Sequence, residues 1–147
     1  MDLPRHIRAS EERSRLPAQS PNVGRLFANR YCATKVLKKS SLSETLLATD
    51  TVGGSSVVIK ALPVESVSSG VRMRLEHEAE VLRNVKSPWV TPLVASGIEE
   101  DWLYLVRPFV DGISLQSRLQ QGRLSLVETL NVGNCLLCAL KEIHAIG

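Results

Sequence analysis

Lys60 closes the run Val57-Val58-Ile59-Lys60 and leads into Ala61-Leu62, which places a cation inside an otherwise apolar segment. Alternation puts Val58, Lys60 and Leu62 on one strand face and Val57, Ile59 and Ala61 on the other. Eighteen positions later, Glu78 stands within the repeat Val71, Leu75, Leu82 and Val85, whose three- and four-residue spacing predicts an amphipathic helix. Charges on apolar faces are costly unless they are paired or put to use. A strand lysine held by a helix glutamate can grip the phosphates of a nucleotide. The expectation is an ion pair between Lys60 and Glu78, within reach directly or after a modest swing of the helix, with Glu76 and Glu80 pointing away from the inward stripe.

The elements that must position this pair follow from the pattern along the chain. Residues 1–30 are rich in Arg, Ser, Pro and Asn without periodicity and predict a flexible, basic tail. Strands are expected over 33–37, 45–49 and 56–62, with Asp50-Thr51-Val52-Gly53-Gly54 as a hairpin turn in which glycine supplies positive φ. The helix is expected over 71–85 and is stopped by Pro88. Two further strands are expected over 90–95 and 102–107, then a connector over 108–112 and a short helix over 114–121. Ser125-Leu126-Val127-Glu128 matches a capping box and opens a long helix with an apolar face of Leu126, Leu130, Val132, Leu136, Leu137, Leu140 and Ile143.

Composition narrows the function classes. A chain of 147 residues with 44% hydrophobic and 22% charged residues is sized for one modest domain with a real core. The net charge of +3 arises largely in the first thirty residues, and no basic face interleaved with aromatics supports nucleic-acid binding. No apolar run is long enough to predict a membrane span, and Met1-Asp2-Leu3-Pro4-Arg5 lacks the apolar core of a secretory signal. Three cysteines do not suggest a disulfide framework and point to a reducing cytoplasm. Cys135 and Cys138 form a C-x-x-C inside the long helical pattern with no second pair, which favours core packing over a zinc or redox site.

Four stretches, in order, resemble the protein kinase family. Val57-Val58-Ile59-Lys60 is similar to the V-A-I-K strand. HEAEVLRNVKSPWVTPLV is similar to the helix carrying the paired glutamate, with Glu78 in that position, and to the turn that follows. LYLVRPFVDGISLQSRL is similar to the fifth strand, hinge and next helix, and LLCALKEIHAIG to the helix leading to the H-R-D catalytic loop. The resemblance covers residues 31–147 and is nearest in style to bacterial serine/threonine kinase domains. It implies an α+β fold: a kinase-like N-terminal lobe over 31–107 with a five-stranded antiparallel sheet and one helix, a hinge over 108–112, and the start of a helical C-terminal lobe over 113–147.

By the same resemblance the chain is part of an enzyme that binds ATP with Mg²⁺ and transfers the γ-phosphate to protein hydroxyls. A non-catalytic, kinase-like regulatory module of a multidomain signalling protein is the alternative. The implied partners are a protein substrate, the rest of the kinase domain and further signalling domains. Lys60 and Glu78 take the catalytic pair positions. Leu37, Lys38, Ser40, Ser43, Thr45, Val58 and Lys60 would line the nucleotide, the Pro108 carbonyl and Val110 amide would read adenine, and His144 would pack and hydrogen-bond. The pattern departs from the family where Lys38, Ser40 and Ser43 replace the loop glycines and where Arg107 stands before the hinge. No H-R-D or D-F-G occurs, so the magnesium ligands are expected outside the chain, which reads as truncated before the catalytic loop.

Overall fold

The structure, a computed structural model, describes residues 20–146. Among these residues, six strands form one antiparallel sheet: β1 (Leu26–Phe27), β2 (Tyr31–Lys39), β3 (Glu44–Asp50), β4 (Ser56–Pro63), β5 (Ala95–Glu99) and β6 (Trp102–Pro108), in the order β1-β2-β3-β4-β6-β5. Helix α1 (Ser69–Asn84) lies between β4 and β5 in sequence, and α2 (Leu115–Gln120) and α3 (Leu126–His144) follow the sheet. The α+β class and the antiparallel sheet agree with the sequence reading, but the sheet has six strands where five were expected.

The extra strand comes from the stretch expected to end a tail. Residues 20–30 fold onto the sheet, so the expected boundary at residue 30 moves to earlier in the chain, while residues 1–19 lie outside the described residues. Ala28 and Asn29 both take positive φ, and the Arg30 amide donates to the Phe27 carbonyl at 3.0 Å, closing a tight primed turn into β2. Phe27 is fully buried and meets Tyr104 edge to face at a centroid distance of 5.5 Å. Around them gather Tyr31, Ala33, Leu46, Ala48, Val57, Ile59, Ala61 and Val106, the inner face of the sheet. The predicted alternation in β4 is therefore correct, and the core lies on the side opposite Lys60.

Polar contacts close the two ends of the sheet. Arg25 pairs with Glu100, and the Ala28 amide donates to the Glu99 carboxylate at 2.6 Å, so the β1 edge is tied to the turn between β5 and β6. Arg30 grips the buried Asp50 carboxylate with two bonds of 2.8 and 2.7 Å. Asp50 also caps the hairpin, accepting from the Val52 amide, and Gly54 alone of the two turn glycines takes positive φ.

Element ends follow their local chemistry. Ser68 and Ser114 accept from backbone amides at the starts of α1 and α2, and the Ser125–Glu128 capping box is present on α3. The strand expected over 90–95 forms instead over 95–99, because β5 takes its register from β6, pairing Ala95 with Val106 and Glu99 with Trp102. No helix among the described residues is long and apolar enough to cross a membrane.

Candidate functional site

The outer face of the sheet is laid out by strand pairing. Lys38 is opposite Thr45, Thr45 opposite Lys60, and Lys60 opposite Leu105, which makes one row across β2, β3, β4 and β6. The neighbouring row runs Lys35, Leu47, Val58 and Arg107. Directly paired residues of an antiparallel sheet share a face. The structure thus brings Lys38, Thr45, Val58 and Lys60, all singled out from sequence, onto one surface, with Arg107 beside Val58.

Leu37, Pro108 and Val110, expected from sequence to contact a nucleotide, lie at the edges of that surface. Leu37 falls at a break in β2 register between Val36 and Lys38 and is exposed. Pro108 ends β6, and Val110 is exposed in the connector beyond it. The Phe109 amide donates to the Ser56 carbonyl at 3.1 Å, anchoring the connector to the start of β4.

The loop between β2 and β3 closes on itself. The Ser40 amide donates to the Ser43 carbonyl at 2.9 Å, and the Ser43 amide donates to the Ser40 hydroxyl at 3.0 Å, with the two hydroxyls 3.1 Å apart. Lys39 is engaged on the inner face, its ammonium 2.8 Å from the buried Glu44 carboxylate. Glu44 also accepts from the Ser20 hydroxyl and, at 2.9 Å, from the Asn22 amide nitrogen. Burial pushes the Glu44 carboxyl up, but the donors from Lys39, Ser20 and Asn22 outweigh it and hold it below the ordinary range. Of the two adjacent lysines, Lys38 is on the outer face and Lys39 on the inner one.

Glu78 stands apart from Lys60. Lys60 and Glu78 are both exposed, and no ion pair within 4.0 Å joins them among the described residues. The buried residue of α1 is Ala79, flanked by half-buried Leu75 and Leu82, so the inward stripe runs one position beside Glu78. A groove of about 240 Å³ lies between the helix and the β5–β6 side of the sheet. Leu75, Glu76, Ala79, Ile98, Leu103 and Leu105 contribute to its walls. Glu76, expected from sequence to point elsewhere, lines this groove.

Two further expectations change. Cys135 is exposed and Cys138 half-buried, not packed in a core, because the face of α3 that carries them is open. His144 is exposed in the last turn of α3. Sequence reading passed over Lys35 and Glu44. The signal for Glu44 was its alternation with Leu46 and Ala48, which places a carboxylate on the apolar face of β3.

No family model matches the chain. Among curated proteins, it is 28% identical over 102 residues to the CBL-interacting serine/threonine-protein kinase 13 of Arabidopsis thaliana, covering 69% of this chain and 20% of that protein. It is 26% identical over 128 residues to the probable serine/threonine-protein kinase PknB of Lactococcus lactis, covering 85% and 20%. With the serine/threonine-protein kinase PrkC of Bacillus subtilis the figures are 24% over 124 residues, 83% and 19%. The chain spans about a fifth of the length of these relatives. Among solved structures, the PknI kinase domain of Mycobacterium tuberculosis matches with a TM-score of 0.73 at 23% identity, over 84% of this chain and 52% of that one. A second crystal structure of that domain matches with a TM-score of 0.74 at 23% identity, over 84% and 51%. The chain is therefore similar in sequence to serine/threonine protein kinases and has the fold of their N-terminal lobe followed by the first helices of the next lobe.

Proposed function

We propose that this chain is the nucleotide-binding part of a serine/threonine protein kinase that takes ATP with Mg²⁺ and phosphorylates protein hydroxyls. Lys60 binds the α- and β-phosphates, and Glu78 orients it once α1 moves toward the strand. Leu37, Thr45 and Val58 cover the base. The Pro108 carbonyl and the Val110 amide read its edge, a use of Pro108 that needs no N–H. The magnesium ligands and the group that orients the acceptor hydroxyl come from outside these 147 residues. The observation that carries this reading is the shared outer face of Thr45, Val58 and Lys60, adjoining the connector at Pro108.

The test is calorimetric titration of ATP, with and without Mg²⁺, into the protein that contains this chain, alongside a phosphotransfer assay. Lys60→Met is expected to weaken ATP binding by about ten-fold or more, the loss of a charge-assisted phosphate contact. ATP binding without phosphotransfer to any protein acceptor would replace the kinase by a non-catalytic regulatory module. A wild type that binds no ATP would overturn both readings.

A further inference from the structure

The sheet separates its charges by face. Its strand acids, Glu44, Asp50 and Glu99, are in register with Ala61, Tyr31 and Trp102 on the inner side. Each is taken up locally: Glu44 by Lys39, Ser20 and Asn22, Asp50 by Arg30, and Glu99 by the Ala28 amide. The outer side carries Lys35, Lys38, Lys60 and Arg107 in two adjacent rows, with no strand acid among them. None of these four forms an ion pair among the described residues. Helix α1 brings Glu76 to the β5–β6 end of this face, beyond Leu105 and away from Lys38.

Lys38 and Lys60 are separated by one intervening strand, so their backbones stand roughly 10 Å apart, and their long stems can converge on one ligand between them. Like charges gathered on one face repel, and a polyanion lying among them removes that cost. On the reading that this face holds a nucleotide, we propose that Lys38 is a second phosphate-binding residue. Its ammonium supplies, from a loop without glycines, the positive charge that backbone amides of a glycine-rich turn would otherwise present. The polyphosphate is gripped between Lys38 and Lys60, not laid under a backbone cradle. Lys39 does not share the task because Glu44 holds it on the other face. Ser40 and Ser43 are bound to each other.

This grip discriminates by ligand charge. In the protein that contains this chain, Lys38→Gln is expected to weaken ATP and inorganic tripolyphosphate about ten-fold while leaving AMP within about two-fold. Added salt should weaken ATP binding by the wild type more steeply than by the variant. Lys38→Arg keeps the charge and should restore most of the affinity. Lys39→Gln should leave binding within about two-fold, since its partner is Glu44. Equal ATP and tripolyphosphate affinities in wild type and Lys38→Gln, with Lys60→Met still defective, would overturn the role of Lys38 and leave the nucleotide reading standing. A wild type that binds neither ATP nor tripolyphosphate would overturn both. Tripolyphosphate binding that depends on Lys38, without ATP binding, would uphold the anion site and sink the nucleotide reading.

Discussion

At the residue scale, the chain relies on carboxylates held ionised. Arg30 bonds, opposed by burial and helped by the Val52 and Gly53 amides, keep Asp50 far below its ordinary value. The Ser125 backbone amide, then Arg118 and the Ser125 hydroxyl, hold Glu128 down to about 2 from 4.5. A carboxylate depressed on folding contributes its stability fully above the unfolded pKa and loses it as pH falls through the folded one. For Glu128 that window runs from about 4.5 to about 2, and Glu44 and Asp50 lose their shares over the same direction of change. The urea midpoint is therefore expected to be flat near neutrality and to fall on acidification below about pH 5. Glu44→Ala leaves the Ser20, Asn22 and Lys39 donors without their acceptor and should cost about 2 kcal/mol at pH 7. It should also shallow the acid limb of the curve. A variant as stable as the wild type at pH 7, with an unchanged acid limb, would show that this cluster contributes nothing.

At the element scale, the segment before β2 is a structural strand, not a tail. Phe27 has no exposed surface and fills the inner face beside Tyr104. Phe27→Ala is expected to cost about 3 kcal/mol or more, the usual penalty for emptying a buried aromatic site. Chemical denaturation checks this directly, and a loss below about 1 kcal/mol would mean the segment is not docked. Helix α3 depends more on its cap than on burial, since none of its residues is fully buried. Ser125→Ala removes the acceptor for the Glu128 amide and should cost about 1 kcal/mol, seen as fraying of the first turn in circular dichroism or amide exchange. Unchanged protection at residues 126–129 would argue against the cap.

For the whole molecule, burial is lopsided. The sheet holds the core, while α3 presents Leu130 and Leu137 with 63% and 68% of their surface exposed, alongside Leu126, Leu136 and Leu140. An apolar face of that kind seeks cover from another protein surface or from copies of itself. The 147-residue chain expressed alone is expected to self-associate in sedimentation and to bind an apolar dye. Leu130→Glu with Leu137→Glu should reduce both signals without disturbing the sheet, which lies outside that face. A monomeric, dye-silent wild-type chain would show that the face is covered within the chain itself.

Much was legible because the governing interactions are local or periodic. Alternation in β4 marked Val57, Ile59 and Ala61 as one face and Lys60 as the other. The Ser125–Glu128 spacing announced a cap, and helical spacing announced α1 and α3. The motifs around Lys60 and the hinge pointed to the kinase lobe. What a carboxylate meets when its neighbours come from distant sequence was not legible. Alternation put Glu44 on the apolar face, but the partners that satisfy it there, Ser20, Asn22 and Lys39, were not legible. Nor was the primed turn at Ala28 and Asn29, without the usual glycine, that folds Phe27 back into the core. Spacing alone suggested an inward stripe of α1 through Glu78, yet the buried residue is its neighbour Ala79, which leaves Glu78 exposed. Register, fixed by pairing across strands, set Lys38 and Lys60 on one face and Lys39 on the other, because the pleat alternates sides at every residue.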